Sequence, residues 1–320
     1  MRLIFLGSPE PVLAPLTALL EEGAAHGHEL VGIVSQPAKP VGRKGELTDP
    51  PVAAFAKAHG VPVLQPAKAS DPAFLDALRA LAPDVCITAA YGQILTDAFL
   101  AIPRRGTINI HPSLLPRYRG AIPVPAALLD GQTESGVTIL FTVRALDAGN
   151  IIVQERAAIL PNETAGALTQ RYFARSSNLL FAALDRLKEP TFSGEPQDES
   201  RVTHCKKIKK TDGLVDWSRP ADEIVHRFRA FEPWPGSFTF QAGRRLALVA
   251  VTQDSGPRLS QPPGAVAYDK ARASLLVGTG TEPVLVSRLK PAGGNEVDAV
   301  AFWNGQKDKT SVTFTASEAP

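Results

Sequence analysis

The sequence predicts an α/β protein with an open, doubly wound, mostly parallel sheet, followed by a small β-barrel that carries a helix. Three observations lead there. Short apolar runs alternate with helical patterns through residue 188, which is the signature of βαβ units. Positions 189–211 then lapse into Pro, Gly, acidic and finally basic residues, as an interdomain linker does. Beyond 211 the apolar runs are short and are separated by Gly and Pro.

The elements follow in order. Residues 2–6 are an apolar run stopped by Gly7, Ser8 and Pro9, so they read as a buried strand and not as a signal peptide. Further strands are expected at 29–35, 61–64, 84–89, 106–111 and 136–142, with helices at 12–22, 52–59, 72–81 and 123–130. A strand at 151–160 and a long helix at 164–188, N-capped by Thr164, complete the first domain. In the second, an amphipathic helix over 218–231 precedes strands at 237–240, 245–252, 273–277 and 283–289. The polar stretch 305–320 reads as a loose tail. The expected domains are 1–188, a basic linker at 189–211, and 212–304, with the tail at 305–320.

Composition narrows the function classes. The chain has 320 residues, 44% hydrophobic and 21% charged, which fits neither a disordered nor a membrane protein. No apolar run approaches the roughly 20 residues of a spanning helix, so no membrane partner is expected. Two cysteines, Cys86 and Cys205, exclude a disulfide framework and a four-cysteine zinc site, and a reducing cytoplasm is the expected setting. The net charge of +2 hides an asymmetry. Residues 1–205 carry 18 basic and 20 acidic side chains, and 206–320 carry 16 and 12. Between Arg201 and Lys210 there are five basic residues (Arg201, Lys206, Lys207, Lys209, Lys210) and no acidic one.

The first strand-to-helix turn, Gly7-Ser8-Pro9-Glu10-Pro11, has one glycine where a dinucleotide-binding turn needs G-x-G-x-x-G, which disfavours NAD. No Walker sequence is present. None of the six histidines pairs with another at the spacing of a helical zinc site, so His26, His28 and His59 are expected to be exposed polar positions, and no metal is expected.

The stretch Ile108-Asn109-Ile110-His111-Pro112-Ser113 differs, because two polar groups interrupt a buried strand. Side chains alternate along a strand, which puts Asn109 and His111 on one face and at its C-terminal end, where open α/β sheets bind ligands. Asp147, in the loop Leu146-Asp147-Ala148-Gly149, is expected at the same edge and within reach of His111. An amide donor, an imidazole and a carboxylate suit acyl transfer to an amine, in which charge develops on a carbonyl oxygen and protons move. Asn109 and His111 are then expected to donate to that oxygen, with Asp147 orienting His111 and assisting proton removal. Ser113 reads as a turn residue that binds backbone or ligand, since the G-x-S-x-G elbow of a serine nucleophile is absent.

The run from Asn109 through Ser113-Leu114-Leu115-Pro116 to Arg117-Tyr118-Arg119-Gly120, with Asp147 in Asp-x-Gly, resembles the folate-dependent formyltransferases. Gln36-Pro37 to Gly42-Arg43-Lys44, Lys210 to Trp217, Arg229-Ala230-Phe231-Glu232-Pro233-Trp234-Pro235 and Leu289-Lys290-Pro291-Ala292-Gly293 are similar to the branch of that family that acts on tRNA. The resemblance implies a Rossmann-like catalytic domain and an OB-like tRNA-binding domain. It also implies transfer of a formyl group from 10-formyltetrahydrofolate to the α-amino group of methionine on initiator tRNA. Asn109, His111 and Asp147 match the catalytic set. Ser113, Leu114, Leu115 and Pro116 match the folate-contact segment, and Tyr91, Gly92, Ile94 and Leu95 sit where the pterin pocket is expected. Pro125 stands where family members often have Gln.

Transfer to tRNA requires a positive surface, expected at Arg43, Lys44, Lys206, Lys207, Lys209 and Lys210. A folate-dependent transferase acting on a small amine, a hydrolase releasing formate, and a non-catalytic RNA-binding protein are the alternatives. The basic linker and the second domain favour tRNA over a small amine, and the trio favours catalysis over mere binding. A monomer without an obligatory protein partner is expected.

Overall fold

The alternating apolar runs of the first part pair into one seven-stranded sheet. The computed structural model describes residues 1–42, 45–254 and 261–317. The strands are β1 (Arg2–Gly7), β2 (Glu29–Val34), β3 (Lys39–Val41), β4 (Glu46–Thr48), β5 (Val63–Leu64), β6 (Val85–Ala89), β7 (Thr107–His111), β8 (Glu134–Phe141) and β9 (Ile151–Ala158). The helices among them are α1 (Leu13–Glu22), α2 (Pro51–Ala58), α3 (Pro72–Ala80), α4 (Asp97–Leu100), α5 (Pro123–Leu129) and α6 (Ala165–Arg186). The order across the sheet is β5-β2-β1-β6-β7-β8-β9, parallel from β5 to β7 and antiparallel from β7 to β9. β3 and β4 form a separate hairpin that the sequence pattern does not reveal, because its apolar positions Val41 and Leu47 are exposed.

The chain leaves β1 for β2 and β5 on one side, then returns to β6 on the other. That reversal makes the C-terminal ends of β1, β6 and β7 the crevice of the sheet. β1 is apolar at consecutive positions because Leu3, Ile4, Phe5 and Leu6 are all buried, as a strand covered on both faces requires. α3 shows how a helix is seated here. Pro72 opens it, the Asp71 carboxylate accepts from Ala73 N–H at 2.9 Å, and Phe74, Leu75 and Leu78 turn inward. Those three join Ile4, Leu6, Val31 and Val34 in one core, each large side chain contributing about 1.5–3 kcal/mol by burial.

The chain clusters into two compact units. The first contains Met1–Pro123, Glu134–Ala158 and Leu168–Cys205, and the second Val124–Thr133, Ile159–Ala167 and Lys206–Pro320. The second holds α7 (Ala221–Phe231), β10 (Ser237–Gln241), β11 (Arg244–Gln253), β12 (Val266–Asp269), β13 (Ser274–Val277), β14 (Val284–Pro291), β15 (Val297–Asp298) and α8 (Ala299–Asn304). Its strands are wholly antiparallel, in the order β10-β11-β14-β13-β12 with β15 on β14. Trp217, Phe228, Leu248, Val286 and Phe302 belong to its core, and the Trp217 indole N–H donates to Thr239 Oγ1 at 2.9 Å.

Two expectations are corrected. The stretch after 304 is not loose throughout, because Val312 and Phe314 are 6% and 2% exposed and lie in the second core. Phe240 and Thr315 exchange backbone hydrogen bonds, and Val266 N–H donates to Val312. The alternation Val-Thr-Phe-Thr was too short to stand out from its polar surroundings. His28 is buried, at 5% exposure, whereas His26 and His59 are exposed as expected. Neither His28 ring nitrogen has a hydrogen-bond partner among the described residues. Burial above all, then the neighbouring N-terminal ammonium and Lys188, lowers its pKa to about 4.

Candidate active site

β7 brings the two polar side chains of its buried strand to the crevice. Asn109 is half-buried and His111 is 3% exposed. The neighbouring strand supplies a hydroxyl. Thr88 Oγ1, at the end of β6, lies 2.9 Å from Asn109 Oδ1 and 3.1 Å from the Ile108 carbonyl. With its carbonyl oxygen so engaged, the Asn109 amide nitrogen turns toward the loop after β8, where it meets Asp147 Oδ1 at 3.4 Å. The second carboxylate oxygen accepts from Gly120 N–H at 2.8 Å and stands 3.7 Å from His111 Nδ1. The trio expected from sequence is therefore assembled at one place, with Asp147 bridging its members.

The other His111 nitrogen fixes the tautomer. Nε2 is 3.0 Å from the Tyr118 carbonyl, which can only accept, so the neutral ring carries its hydrogen on Nε2 and presents a lone pair at Nδ1. Burial holds the His111 pKa below its ordinary value, while the Asp147 charge and the Tyr118 bond oppose that shift. Neutral His111 thus faces Asp147 with an acceptor. A proton arriving at Nδ1 would convert the contact into an ion pair.

Three residues around the crevice hold left-handed backbone that only glycine adopts freely: Ala90 (φ 47°), Tyr118 (φ 64°) and Asp147 (φ 51°). Each such position costs of order 1–3 kcal/mol and persists only where its surroundings over-determine it. The loop bearing Asp147 is so constrained. A Cβ on Gly149 would come within 1.8 Å of the Phe141 carbonyl oxygen, so the backbone approaches strand β8 as only glycine permits.

The residues after His111 form a tight, internally bonded turn. Ser113 is fully buried; its hydroxyl donates to Arg117 O at 2.8 Å, and its carbonyl accepts from Thr138 Oγ1 at 2.6 Å. Leu115 is buried, its N–H donating to Thr138 Oγ1 and its carbonyl accepting from Gln154 Nε2. Leu114 and Pro116 are half-buried. The four residues after β6 diverge. Tyr91 and Leu95 belong to the core beside Phe74 and Phe99, whereas Ile94 is 88% exposed and Gly92 turns the backbone at φ 82°. The Tyr91 carbonyl accepts from Gln36 Nε2 at 3.0 Å. Its buried hydroxyl has no partner among the described residues, and burial pushes its pKa up to about 12.

Of the basic positions, Lys206, Lys207, Lys209 and Lys210 are all exposed, with no ion pair among the described residues. Arg43 and Lys44 lie outside the described residues. Among the described residues no group of three or more His, Cys, Asp or Glu side chains could hold a metal, and no helix is long and apolar enough to cross a membrane. Sequence reasoning missed Thr88, Gly120 and Thr138. Thr88 left a faint signal, a polar residue at the end of the run Val-Cys-Ile-Thr-Ala. Gly120 stood in the run that resembles the family but with no role read for it, and Thr138 left no signal.

Residues 1–184 match the family model described as formyl transferase, and residues 207–307 match that of the formyl transferase C-terminal domain. The chain is 42% identical over 307 residues to a methionyl-tRNA formyltransferase of Chloroflexus aurantiacus, covering 95% of this chain and 97% of that one. It is 39% identical to one of Geobacter sulfurreducens, with coverage of 95% and 94%. A crystal structure of HypX from Aquifex aeolicus in complex with tetrahydrofolic acid shares the fold, at a TM-score of 0.64 and 16% identity. That likeness covers 95% of this chain and 47% of the other, so this chain spans about half of it. With both halves matched by family models and relatives aligned along nearly its whole length, the chain belongs to the formyl transferase family.

Proposed function

We propose that this chain transfers the formyl group of 10-formyltetrahydrofolate to the α-amino group of methionine on initiator methionyl-tRNA, giving formylmethionyl-tRNA for translation initiation. The observation that supports the reaction most directly is the bridging of Asn109 and His111 by Asp147 at the crevice of the sheet. The acceptor is argued from the relatives, which are named for methionyl-tRNA.

10-Formyltetrahydrofolate supplies the carbon: its bond to the folate nitrogen is replaced by one to the amine, and a proton passes from the amine to that nitrogen. Asn109, its carbonyl held by Thr88, offers an N–H to the formyl oxygen as negative charge develops there. His111 takes the amine proton on Nδ1, the lone-pair nitrogen that the Tyr118 bond leaves free. Asp147 stabilises the resulting imidazolium, and only in that charged form does His111 become a donor through Nδ1. His111 therefore moves the proton, a different part from the oxygen donor expected from sequence.

Tyr91, Gly92, Ile94 and Leu95, with Ser113, Leu114, Leu115 and Pro116, would hold the reduced folate. Exposed Ile94 offers apolar contact to a flat ring. Arg43, Lys44, Lys206, Lys207, Lys209 and Lys210 would meet tRNA phosphates. The protein acts in the cytoplasm as a monomer without an obligatory protein partner.

The test is formate balance. Purified protein is given 10-formyltetrahydrofolate with and without charged initiator tRNA, and products are read by mass. Formylmethionine on the tRNA, formed in step with donor loss, is expected. Free formate released equally fast without tRNA would overturn the reading in favour of a hydrolase.

A further inference from the structure

The support of Asp147 traces to a side chain fifty residues away. Gln197 donates both hydrogens of its carboxamide to the Asp147 loop, from Nε2 to the Asp147 carbonyl at 2.8 Å and to the Gly149 carbonyl at 2.8 Å. Its oxygen accepts two more bonds from Arg119, from Nε at 3.0 Å and from Nη2 at 2.9 Å. A carboxamide has two hydrogens and two lone pairs, and all four are used. The orientation is unambiguous, because carbonyls only accept and a guanidinium only donates.

Arg119 is anchored in turn. It is 5% exposed, its Nη2 pairs with Glu199 Oε1 at 2.7 Å, and that contact holds the Glu199 carboxyl below its usual range. Its backbone N–H donates to Thr203 and its carbonyl accepts from Cys205, both at 2.9 Å. On either side of Arg119 in the chain sit the two backbone groups that hold the catalytic pair, the Tyr118 carbonyl on His111 Nε2 and the Gly120 N–H on Asp147 Oδ2. Among the described residues, Gln197 is thus the one carboxamide bonded both to the loop that carries Asp147 and to the residue between the two supports of His111 and Asp147.

We propose that Gln197 is a positioning residue for formyl transfer, joining the Asp147–Gly149 loop to the Tyr118–Gly120 turn so that the Asp147 carboxylate stays in register with Asn109 and His111. The proposal rests on the formyl-transfer reading given above. Asp147 needs such a brace, since its left-handed backbone relaxes unless neighbouring bonds forbid it. A displacement of about 1 Å at a reacting group costs on the order of 10²-fold in rate. Gln197 touches none of the proposed reacting groups through its side chain except the Asp147 carbonyl, so it acts through Asp147.

The test uses the full chain with Gln197→Glu and Gln197→Met. The first keeps the length and the Arg119 contact but cannot donate to the two carbonyls; the second keeps volume and loses all four bonds. Both are measured in single-turnover and steady-state formyl transfer to charged initiator tRNA, alone and combined with Asp147→Asn. The expected result is a kcat lowered roughly 10- to 100-fold in both, with either KM changed less than about threefold. In the Asp147→Asn background the further loss should shrink to less than about threefold, because residues acting as one unit are non-additive. Two results would overturn the proposal: a Gln197→Glu enzyme within twofold of wild-type kcat, or the same fold loss with and without Asp147→Asn. If Gln197→Met melts more than a few degrees lower, Gln197→Glu decides alone. A wild-type chain that formylates no charged tRNA would overturn the underlying reading instead, and the wild-type control identifies that case.

Discussion

The crevice around His111 and the stretch from Lys206 to Lys210 are built by opposite rules. In the crevice each polar group is buried or half-buried and held: Thr88 on Asn109, Tyr118 on His111, Gly120 on Asp147. Along the linker four ammonium groups are exposed and, among the described residues, form no ion pair. Chemistry needs dipoles fixed in advance in a medium that screens them little. Binding a polyanion gains mainly from releasing its counterions, which solvated, mobile lysines do without fixed geometry. The two regions should therefore fail differently when altered.

The largest expected effect lies in the crevice. Asn109→Ala should lower kcat by about 10² to 10³, the usual loss for one oxyanion donor, while the KM for charged tRNA stays near wild type. Steady-state kinetics check this, and a fall in tRNA affinity of equal size would break the contrast. Next comes the loop behind it. Gly149→Ala places a Cβ against the Phe141 carbonyl, so the loop must shift. Denaturant unfolding should show a loss of roughly 1–3 kcal/mol, as overpacking costs, and formyl transfer should fall with it.

Replacing Lys206, Lys207, Lys209 and Lys210 with Ala should weaken tRNA binding and flatten its salt dependence, each lost phosphate contact lowering the slope by about 0.7–0.9. Titrations at several salt concentrations read this, and kcat at saturating tRNA should not change. The smallest effect concerns a buried titratable group outside both regions. His28 has a folded pKa of about 4 against an ordinary 6.5, so between these values the unfolded chain binds the extra proton. Stability should accordingly fall as pH drops from 6.5 toward 4, by roughly 1–2 kcal/mol after allowance for solvent screening. His28→Leu should flatten that limb of an unfolding-versus-pH curve, and an unchanged limb would contradict the assignment.

Much of this was legible in the sequence, for definite reasons. β7 could be read because Thr-Ile-Asn-Ile-His alternates cleanly and its polar members break an otherwise apolar strand. Asp147 was placed by a rule that holds for a parallel neighbour, whereas β8 runs antiparallel to β7 and ends beside Ile108; Asp147 meets Asn109 and His111 because the loop after β8 turns back toward them. Gln197 was silent because no pattern surrounds it, and Arg119, though it stands in the run that resembles the family, gave no sign of its partner 78 residues away. That Tyr91 and Leu95 pack beside Phe74 and Phe99 was not legible, because an apolar residue after a strand looks the same in a core and in a pocket wall. The short helix α8 was hidden for a related reason: its six residues are too few for periodicity, and Asp298, whose carboxylate caps Ala301 N–H, was its only sign.

If Asp147 organises the chemistry and not the binding of tRNA, its replacement should slow transfer and leave affinity alone. Asp147→Asn, assayed for single-turnover formyl transfer at saturating charged initiator tRNA and for tRNA affinity at one fixed salt concentration, tests it most directly. The expected result is a rate lowered by about 10²-fold or more with affinity unchanged, since a misplaced or uncharged reacting partner costs on that order. A rate near wild type, or a loss appearing only as weaker tRNA binding, would contradict it.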